Sequence, residues 1–315
     1  MNKIILEGFW GLGKTTFINT LVSKYTIIKE PNHKTNTANV SQKDIDKWYI
    51  TQHNQRLEDF INIYQATILE RSILSSLAYQ YAQGKDITEL ASQVENLQKY
   101  KINDNILIVV FYANYNQLPP EIQSQYTQEF FEKYNEFYRV YMPIHFGIVA
   151  NFIKVYDETG AHITTQKIED QIQAITDNDR VCQANVVCYR MKNNQPEFLV
   201  LKRNPEKGAF WQSITGGVHI KGLLFDNALR ELQEELFIQG KEENLIGTDY
   251  VFWYVGKEGY ELCEYVFGYK LENSDTITLS NEHTEYAFLA VDEAIDKVKY
   301  DGNKEAIKRV YQMIK

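Results

Sequence analysis

Cysteine is scarce in this chain: Cys182, Cys188 and Cys263 are the only three among 315 residues. An odd number without metal-ligand spacing argues against a disulfide framework or a thiolate zinc site, and leaves structural cysteine in a reducing compartment. Basic blocks are missing too. With 33 Lys and Arg against 42 Asp and Glu, the net charge is -9, so no nucleic-acid partner is expected. Small phosphorylated ligands, held by local amides and metal, remain open. Long apolar runs are absent from the start of the chain, where the run from Lys3 to Leu6 breaks at a glycine turn. That is too short for a signal peptide or a membrane span, and the expectation is a cytoplasmic protein with no membrane partner. Finally, residues 113–138 contain no arginine.

What is present describes an ordinary globular chain, 44% hydrophobic and 24% charged, long enough for about two domains. The first stretch that carries chemistry is Gly8-Phe-Trp-Gly-Leu-Gly-Lys-Thr15, between an apolar strand and Thr16-Phe-Ile-Asn-Thr-Leu-Val-Ser23. In the pattern G-x-x-x-x-G-K-[ST], backbone amides converge on phosphate oxygens at a helix start. Gly8, Gly11, Gly13, Lys14, Thr15 and Thr16 are the expected nucleotide contacts, with Lys14 on the terminal phosphates and the Thr15 hydroxyl on Mg²⁺. A glycine-rich turn with an incidental lysine is the bland alternative.

Residues 2–175 alternate strand-like and helix-like segments, the order of an α/β fold with a parallel sheet and flanking helices. Strands are expected at 25–29, 66–69, 105–112 and 152–156. Helices are expected at 41–64, 73–83, 86–100, 127–141 and 165–175, with a polar loop at 32–40. The ends of the first three strands carry the glycine turn, Glu30-Pro31 and Glu70-Arg71-Ser72, and strand carboxyl ends are where such sheets bind ligands.

This constellation resembles the deoxynucleoside kinase family, with thymidylate kinases as the nearer relatives. The resemblance implies a P-loop kinase fold, in which Glu30 is the general base for a sugar hydroxyl and Arg71 steadies the attacking hydroxyl and the transferred phosphate. ATP would be the donor, with Mg²⁺, and Trp48 and Gln52 would lie on the base-reading helix. Related kinases are often dimers, so a homodimer is expected. The arginine-free stretch departs from the family's cationic lid. Either Lys133 or Arg139 substitutes, or this half binds nucleotide and transfers phosphate poorly.

The composition turns polar at 176–180, which divides the chain into 1–178 and 179–315. A hairpin, 184–190 and 197–202, opens the second half and ends on Lys202-Arg203. Trp211-Gln-Ser-Ile-Thr-Gly-Gly-Val-His219 follows, and then Ala228-Leu-Arg-Glu-Leu-Gln-Glu-Glu235. On a helix, Glu231, Glu234 and Glu235 share one face. Such hard oxygen donors suit Mg²⁺ or Mn²⁺, or else form a solvated acidic face.

From about residue 181 onward the arrangement resembles the Nudix box, in the branch that hydrolyses deoxynucleoside triphosphates and dihydroneopterin triphosphate. The resemblance implies an α+β fold, an α/β/α sandwich. Arg230 would orient the glutamates, Glu231, Glu234 and Glu235 would bind metal or activate water, and Glu282 would be a fourth ligand or base. Arg203 is a candidate substrate contact. Leu223 stands where the family has Glu, the loop is one residue shorter before Arg230, and Phe237 replaces the usual Gly. The whole then reads as a bifunctional enzyme acting on small-molecule nucleosides and nucleotides. The alternatives are a hydrolase with a regulatory nucleotide-binding half, or a sensor with neither activity.

Overall fold

The computed structural model describes residues 3–31, 41–87, 92, 94–255, 261–272 and 274–315. It divides into two compact units, one of Met1–Asp179 with Ile220–Leu223 and the other of Arg180–His219 with Leu224–Lys315.

In the first unit, β1 (Lys3–Gly8) leads through the glycine turn to α1 (Lys14–Thr20), β2 (Thr26–Ile28) and α2 (Gln42–Asn62). The chain continues with β3 (Thr67–Glu70), α3 (Ile73–Ala82), α4 (Glu95–Asn103) and β4 (Ile106–Tyr112). It ends with α5 (Pro120–Gln123), α6 (Gln128–Glu136), α7 (Met142–Phe146), β5 (Asn151–Lys154) and α8 (Thr165–Asn178). The strands pair in the order β2-β3-β1-β4-β5, every pair parallel. β1 is buried along its whole length, and β4 (Ile-Leu-Ile-Val-Val-Phe-Tyr) is buried up to its last residue, as a sheet covered on both faces requires. Ser41 caps α2 by accepting from the Asp44 amide.

Two expectations in this unit need correction. The helix expected at 86–100 is α4, which starts at Glu95 and runs on to Asn103; residues 88–91 and 93 lie outside the described residues, as does the polar loop expected at 32–40. The helix expected at 127–141 is α6, followed by a π turn at Phe137–Tyr141 and then by α7. Pro143 lacks an N–H, which favours the wider turn just before it.

The second unit is a mixed sheet. It comprises β6 (Arg180–Lys192), β7 (Gln195–Arg203), β8 (Trp211–Gln212), β9 (Ile214–His219), α9 (Leu224–Leu236), β10 (Leu245–Val255), β11 (Glu261–Lys270), β12 (His283–Leu289), α10 (Val291–Lys297) and α11 (Asp301–Ile314). The strand order is β10-β11-β6-β7-β12, with β9 on β6 and β8 on β7. β11 and β6 run parallel. Asn193 and Asn194, with φ of 50° and 60°, form the tight turn between β6 and β7, a conformation that Asn tolerates. Val187, Tyr189 and Val266 pack with Ala306, Ile307 and Val310 of α11 on one face. On the other, Phe225 of α9 meets Phe267 at 6.0 Å. Cys182, Cys188 and Cys263 are buried thiols outside any disulfide, and burial pushes the Cys188 thiol up. Among the described residues no helix is long and apolar enough to cross a membrane.

Candidate functional site

In the first unit the glycine turn follows from sterics at the end of β1. Gly8 has φ of 126°, and a Cβ there would lie 2.4 Å from the Phe111 carbonyl oxygen of the neighbouring strand. Gly11 and Gly13 both take φ of 75°. A Cβ on Gly11 would sit 2.9 Å from Ile122 and 3.0 Å from Pro119, while one on Gly13 would sit 2.8 Å from His162 Nε2. The segment after β4 therefore closes directly on the turn. Lys14 is buried and donates to the Gly8 and Phe9 carbonyls at 2.8 and 2.6 Å. Burial holds its ammonium well below the usual lysine range. Thr15 donates to Glu70 at 2.7 Å, tying the turn to the end of β3. Thr16 is exposed.

Arg71 is 3% exposed and adopts φ of 58°, a conformation that costs a non-glycine residue about 1–2 kcal/mol. Its guanidinium lies over the Trp10 ring at 4.8 Å, donates to Ser75 and Tyr134 at 3.3 Å each, and pairs with Glu30 at 3.0 Å. Glu30 and Arg71 line one cavity of about 550 Å³, together with Trp10, Tyr49, His53 and Tyr126. The structure thus brings together the two residues expected to act on a substrate hydroxyl, beside stacked Trp10 and Tyr126 rings with centroids 5.3 Å apart.

Trp48 and Gln52 do not line this cavity. One residue further along α2, Tyr49 and His53 occupy the wall, because positions i and i+4 share a helix face. The cations expected to serve the lid point elsewhere too. Lys133 pairs with Glu129 at 2.9 Å at the surface, and the Arg139 guanidinium lies over the Tyr112 and Phe152 rings at 5.2 and 5.0 Å.

Three residues that sequence reasoning passes over organise this site. Glu7, fully buried in β1, accepts from the Ser72 amide at 2.8 Å, the Ser72 hydroxyl at 2.6 Å, the Ser75 hydroxyl and the Tyr138 hydroxyl at 3.0 Å. Burial still raises its carboxyl above the usual range. Its signal is a lone acidic charge in an apolar strand. Arg56 donates to the Glu70 carbonyl at 2.5 Å and the Arg71 carbonyl at 3.1 Å, pinning the end of β3. Arg56 also faces His53 Nδ1 at 3.2 Å. Because arginine only donates, Nδ1 must accept, which places the His53 proton on Nε2, toward Ser76. Burial, with Arg56 and Arg71 nearby, lowers the His53 pKa to about 3.

In the second unit α9 is amphipathic, with Leu224, Ala228, Leu232 and Leu236 buried and the charged residues arrayed beside them. Arg230 donates to the Gly217 carbonyl at 2.6 Å, to Glu231 at 2.6 Å and to Glu234 at 2.8 Å. It therefore orients two of the glutamates and joins α9 to β9. The Glu231 carboxyl fills the space beside Gly216, where a Cβ would come within 1.7 Å of Glu231 Cδ. Burial raises the Glu231 carboxyl despite Arg230. Glu235 is turned away, accepting from Ser280 at 2.5 Å and from His283 Nδ1 at 2.8 Å. Burial opposes its ionised form, but those two hydrogen bonds bring its pKa below the usual carboxyl value.

Among the described residues no three His, Cys, Asp or Glu side chains are gathered as a metal site. Glu231, Glu234 and Glu235 share the expected helix, yet Arg230 bridges the first two while His283 draws off the third. As donors they fit a hard divalent cation, three carboxylates within two turns. Glu282 is not grouped with them; it pairs with Arg203 at 2.9 Å and with Lys207 at 2.5 Å. Phe237, in the place of the expected Gly, follows α9 with φ of 56°, the conformation of a helix-terminating residue.

Residues 182–311 match the family model of the NUDIX domain. Among curated proteins, the octanoyltransferase of Myxococcus xanthus is 24% identical over 173 residues, covering 51% of this chain and 48% of that protein. The chain thus spans about half the length of the curated relative it matches. Among solved structures, a binary complex of Ap4A hydrolase from C. elegans is 25% identical, covering 42% of this chain and 96% of that one, with a TM-score of 0.37. The dihydroneopterin triphosphate pyrophosphohydrolase of E. coli is 25% identical, covering 40% and 92%, with a TM-score of 0.36. The second half of this chain, residues 182–311, is a Nudix domain.

Proposed function

We propose that the Nudix domain hydrolyses a nucleoside triphosphate or a related diphosphate-linked substrate with the help of Mg²⁺ or Mn²⁺. The observation that carries this is the way Arg230 locks the carboxylate face of α9 against the glycine pair of β9, at 2.6 Å from the Gly217 carbonyl. Glu231, Glu234 and Glu235 would hold the cation, which when bound neutralises phosphate charge and makes a water nucleophilic at neutral pH. Arg230 keeps Glu231 and Glu234 in register. Arg203 and Lys207 supply cations for phosphate oxygens, with Glu282 orienting them. The substitution Glu234→Gln combined with Glu235→Gln is expected to abolish Mg²⁺-dependent cleavage; unchanged hydrolysis would sink the assignment.

A second reading concerns residues 1–178 and is favoured by the shared cavity of Glu30 and Arg71 at the sheet's carboxyl edge. In it the glycine turn takes the phosphates of ATP, Glu30 accepts the proton of a nucleoside or nucleotide hydroxyl, and Arg71 steadies the transferred phosphoryl. Glu30→Gln should then remove phosphate transfer from ATP while pyrophosphate release continues. Product analysis by mass, with a mixture of nucleosides and monophosphates, distinguishes this from a domain that binds nucleotide as a regulator. In the regulatory case ATP binds and no transfer product forms. The positions of Lys133 and Arg139 favour that outcome over a fast kinase.

A further inference from the structure

Residues 278–283, which lead into β12, meet the end of α9 through both backbone and side chains. The Thr278 and Ser280 amides donate to the Leu236 and Glu235 carbonyls at 3.2 and 3.1 Å. A helix ends on carbonyls without intrahelical partners, so these two amides cap α9. Ser280 Oγ and His283 Nδ1 then reach the Glu235 side chain, and both bonds fall on the same oxygen, Oε2, at 2.5 and 2.8 Å. A carboxylate only accepts, so His283 carries a proton on Nδ1. The Glu282 amide donates to Ser280 Oγ and the His283 amide to the Ser280 carbonyl, each at 3.3 Å. Those two bonds fold 280–283 into a compact turn that holds Ser280 and His283 together.

Two donors on one oxygen leave the other free. Glu235 is 8% exposed and His283 is 6% exposed, so the clamp is a buried one. Glu235 Oε1 accepts no hydrogen bond among the described residues, and it is not sealed off as the buried, unpartnered His283 Nε2 is. A carboxylate clamped at one oxygen and open at the other is the arrangement by which outer partners orient a metal ligand. It also acts through entropy. A free glutamate loses rotamer freedom when it binds a cation, whereas a clamped one has lost it on folding. The same turn carries Glu282, whose carbonyl accepts from the Asn204 amide at 2.8 Å and whose carboxylate pairs with Arg203 and Lys207.

We propose that Ser280 and His283 are positioning residues of the metal site on α9, holding Glu235 by Oε2 so that Oε1 is presented to the cation. The inference rests on the hydrolase reading of residues 182–311 and adds two residues that act only through Glu235. Two other roles are open to the same contacts, and each predicts a different sign. If the turn withholds Glu235 from the cation, releasing it tightens metal binding. If the turn serves only to cap α9, loss of the Ser280 hydroxyl leaves metal binding unchanged, because the capping donor is the Ser280 backbone amide.

Mn²⁺ binding to the full chain, read as free Mn²⁺ by electron paramagnetic resonance, tests this without turnover. The variant with both Glu234→Gln and Glu235→Gln marks whatever Mn²⁺ binds elsewhere in the chain. Against that baseline, Ser280→Ala and His283→Ala should each weaken binding by about 10- to 100-fold. His283→Asn, which keeps an N–H donor near the place of Nδ1, should recover most of the loss. Unchanged or tighter Mn²⁺ binding in a folded Ser280→Ala variant overturns the proposal, and so does a His283→Asn variant that binds as weakly as His283→Ala. Should His283→Ala fail to fold, Ser280→Ala decides alone. The hydrolase reading survives these results provided that the unaltered chain cleaves a triphosphate with Mg²⁺ and the double variant does not. If the unaltered chain binds no more Mn²⁺ than the double variant and cleaves nothing, both fall.

Discussion

Glu264→Gln isolates the cost of burying one carboxyl. Glu264 is 5% exposed, and burial lifts its pKa from the ordinary 4.5 to about 7, with the Asn185 hydrogen bond opposing that rise. A folded pKa above the unfolded one means that the folded chain holds its proton more tightly. The contribution to stability is therefore complete below about pH 4.5 and is lost as the pH rises through 7. A shift of this size, at about 1.36 kcal/mol per pH unit, corresponds to about 3 kcal/mol by pH 8. The glutamine side chain keeps an acceptor for Asn185 and carries no charge. The variant should therefore match the unaltered protein near pH 4.5 and exceed it by about 3 kcal/mol at pH 8. Thermal unfolding of a unit this size would then rise by roughly 10 °C at pH 8. Trp211 and Trp253 report on this unit by fluorescence, Trp10 and Trp48 on the other. A stability difference that is flat between about pH 5 and 8 would refute the reasoning, because it would mean that Glu264 titrates alike in the folded and unfolded chains.

Other substitutions probe the remaining contacts. Gly216→Ala places a methyl where the Glu231 carboxyl sits; it should cost about 1–3 kcal/mol by overpacking and depress metal-dependent hydrolysis, read by calorimetry and phosphate release. Phe237→Gly relieves a left-handed conformation at the end of α9 and should stabilise by about 1 kcal/mol in urea denaturation. Tyr138→Phe removes a buried donor to Glu7 and should destabilise the first unit by about 1.5–3 kcal/mol, with no change in the unfolding of the second.

The glycine turn, the apolar run of β4 and the carboxylate helix are legible in the sequence because each is a local pattern. The glycine spacing after a short apolar run, the unbroken apolar stretch of β4 and the spacing of Glu231, Glu234 and Glu235 can be read with no knowledge of distant residues. On α2 the kinase resemblance points to Trp48 and Gln52, one position away from Tyr49 and His53, which line the cavity. Which side of that helix meets the cavity depends on how it packs against β3 and α3, and residue type alone does not carry that. Lys133 and Arg139 are candidates by position alone, and only the fold shows one in a surface pair with Glu129 and the other over aromatic rings.

By itself, then, the sequence determined the alternation of strands and helices, the glycine-turn pattern after the first strand and the carboxylate spacing of α9, all set by neighbours within a few residues. Tertiary structure alone decided which charges meet. It paired Arg71 with Glu30 across 41 positions of chain, turned Glu235 toward His283 and away from its helix neighbours, and gathered Asn185, Ser213, Glu264 and Asn303 from four separate segments. Electrostatic and hydrogen-bond partners act through space over a few ångströms, and only sheet register and helix packing bring such residues that close.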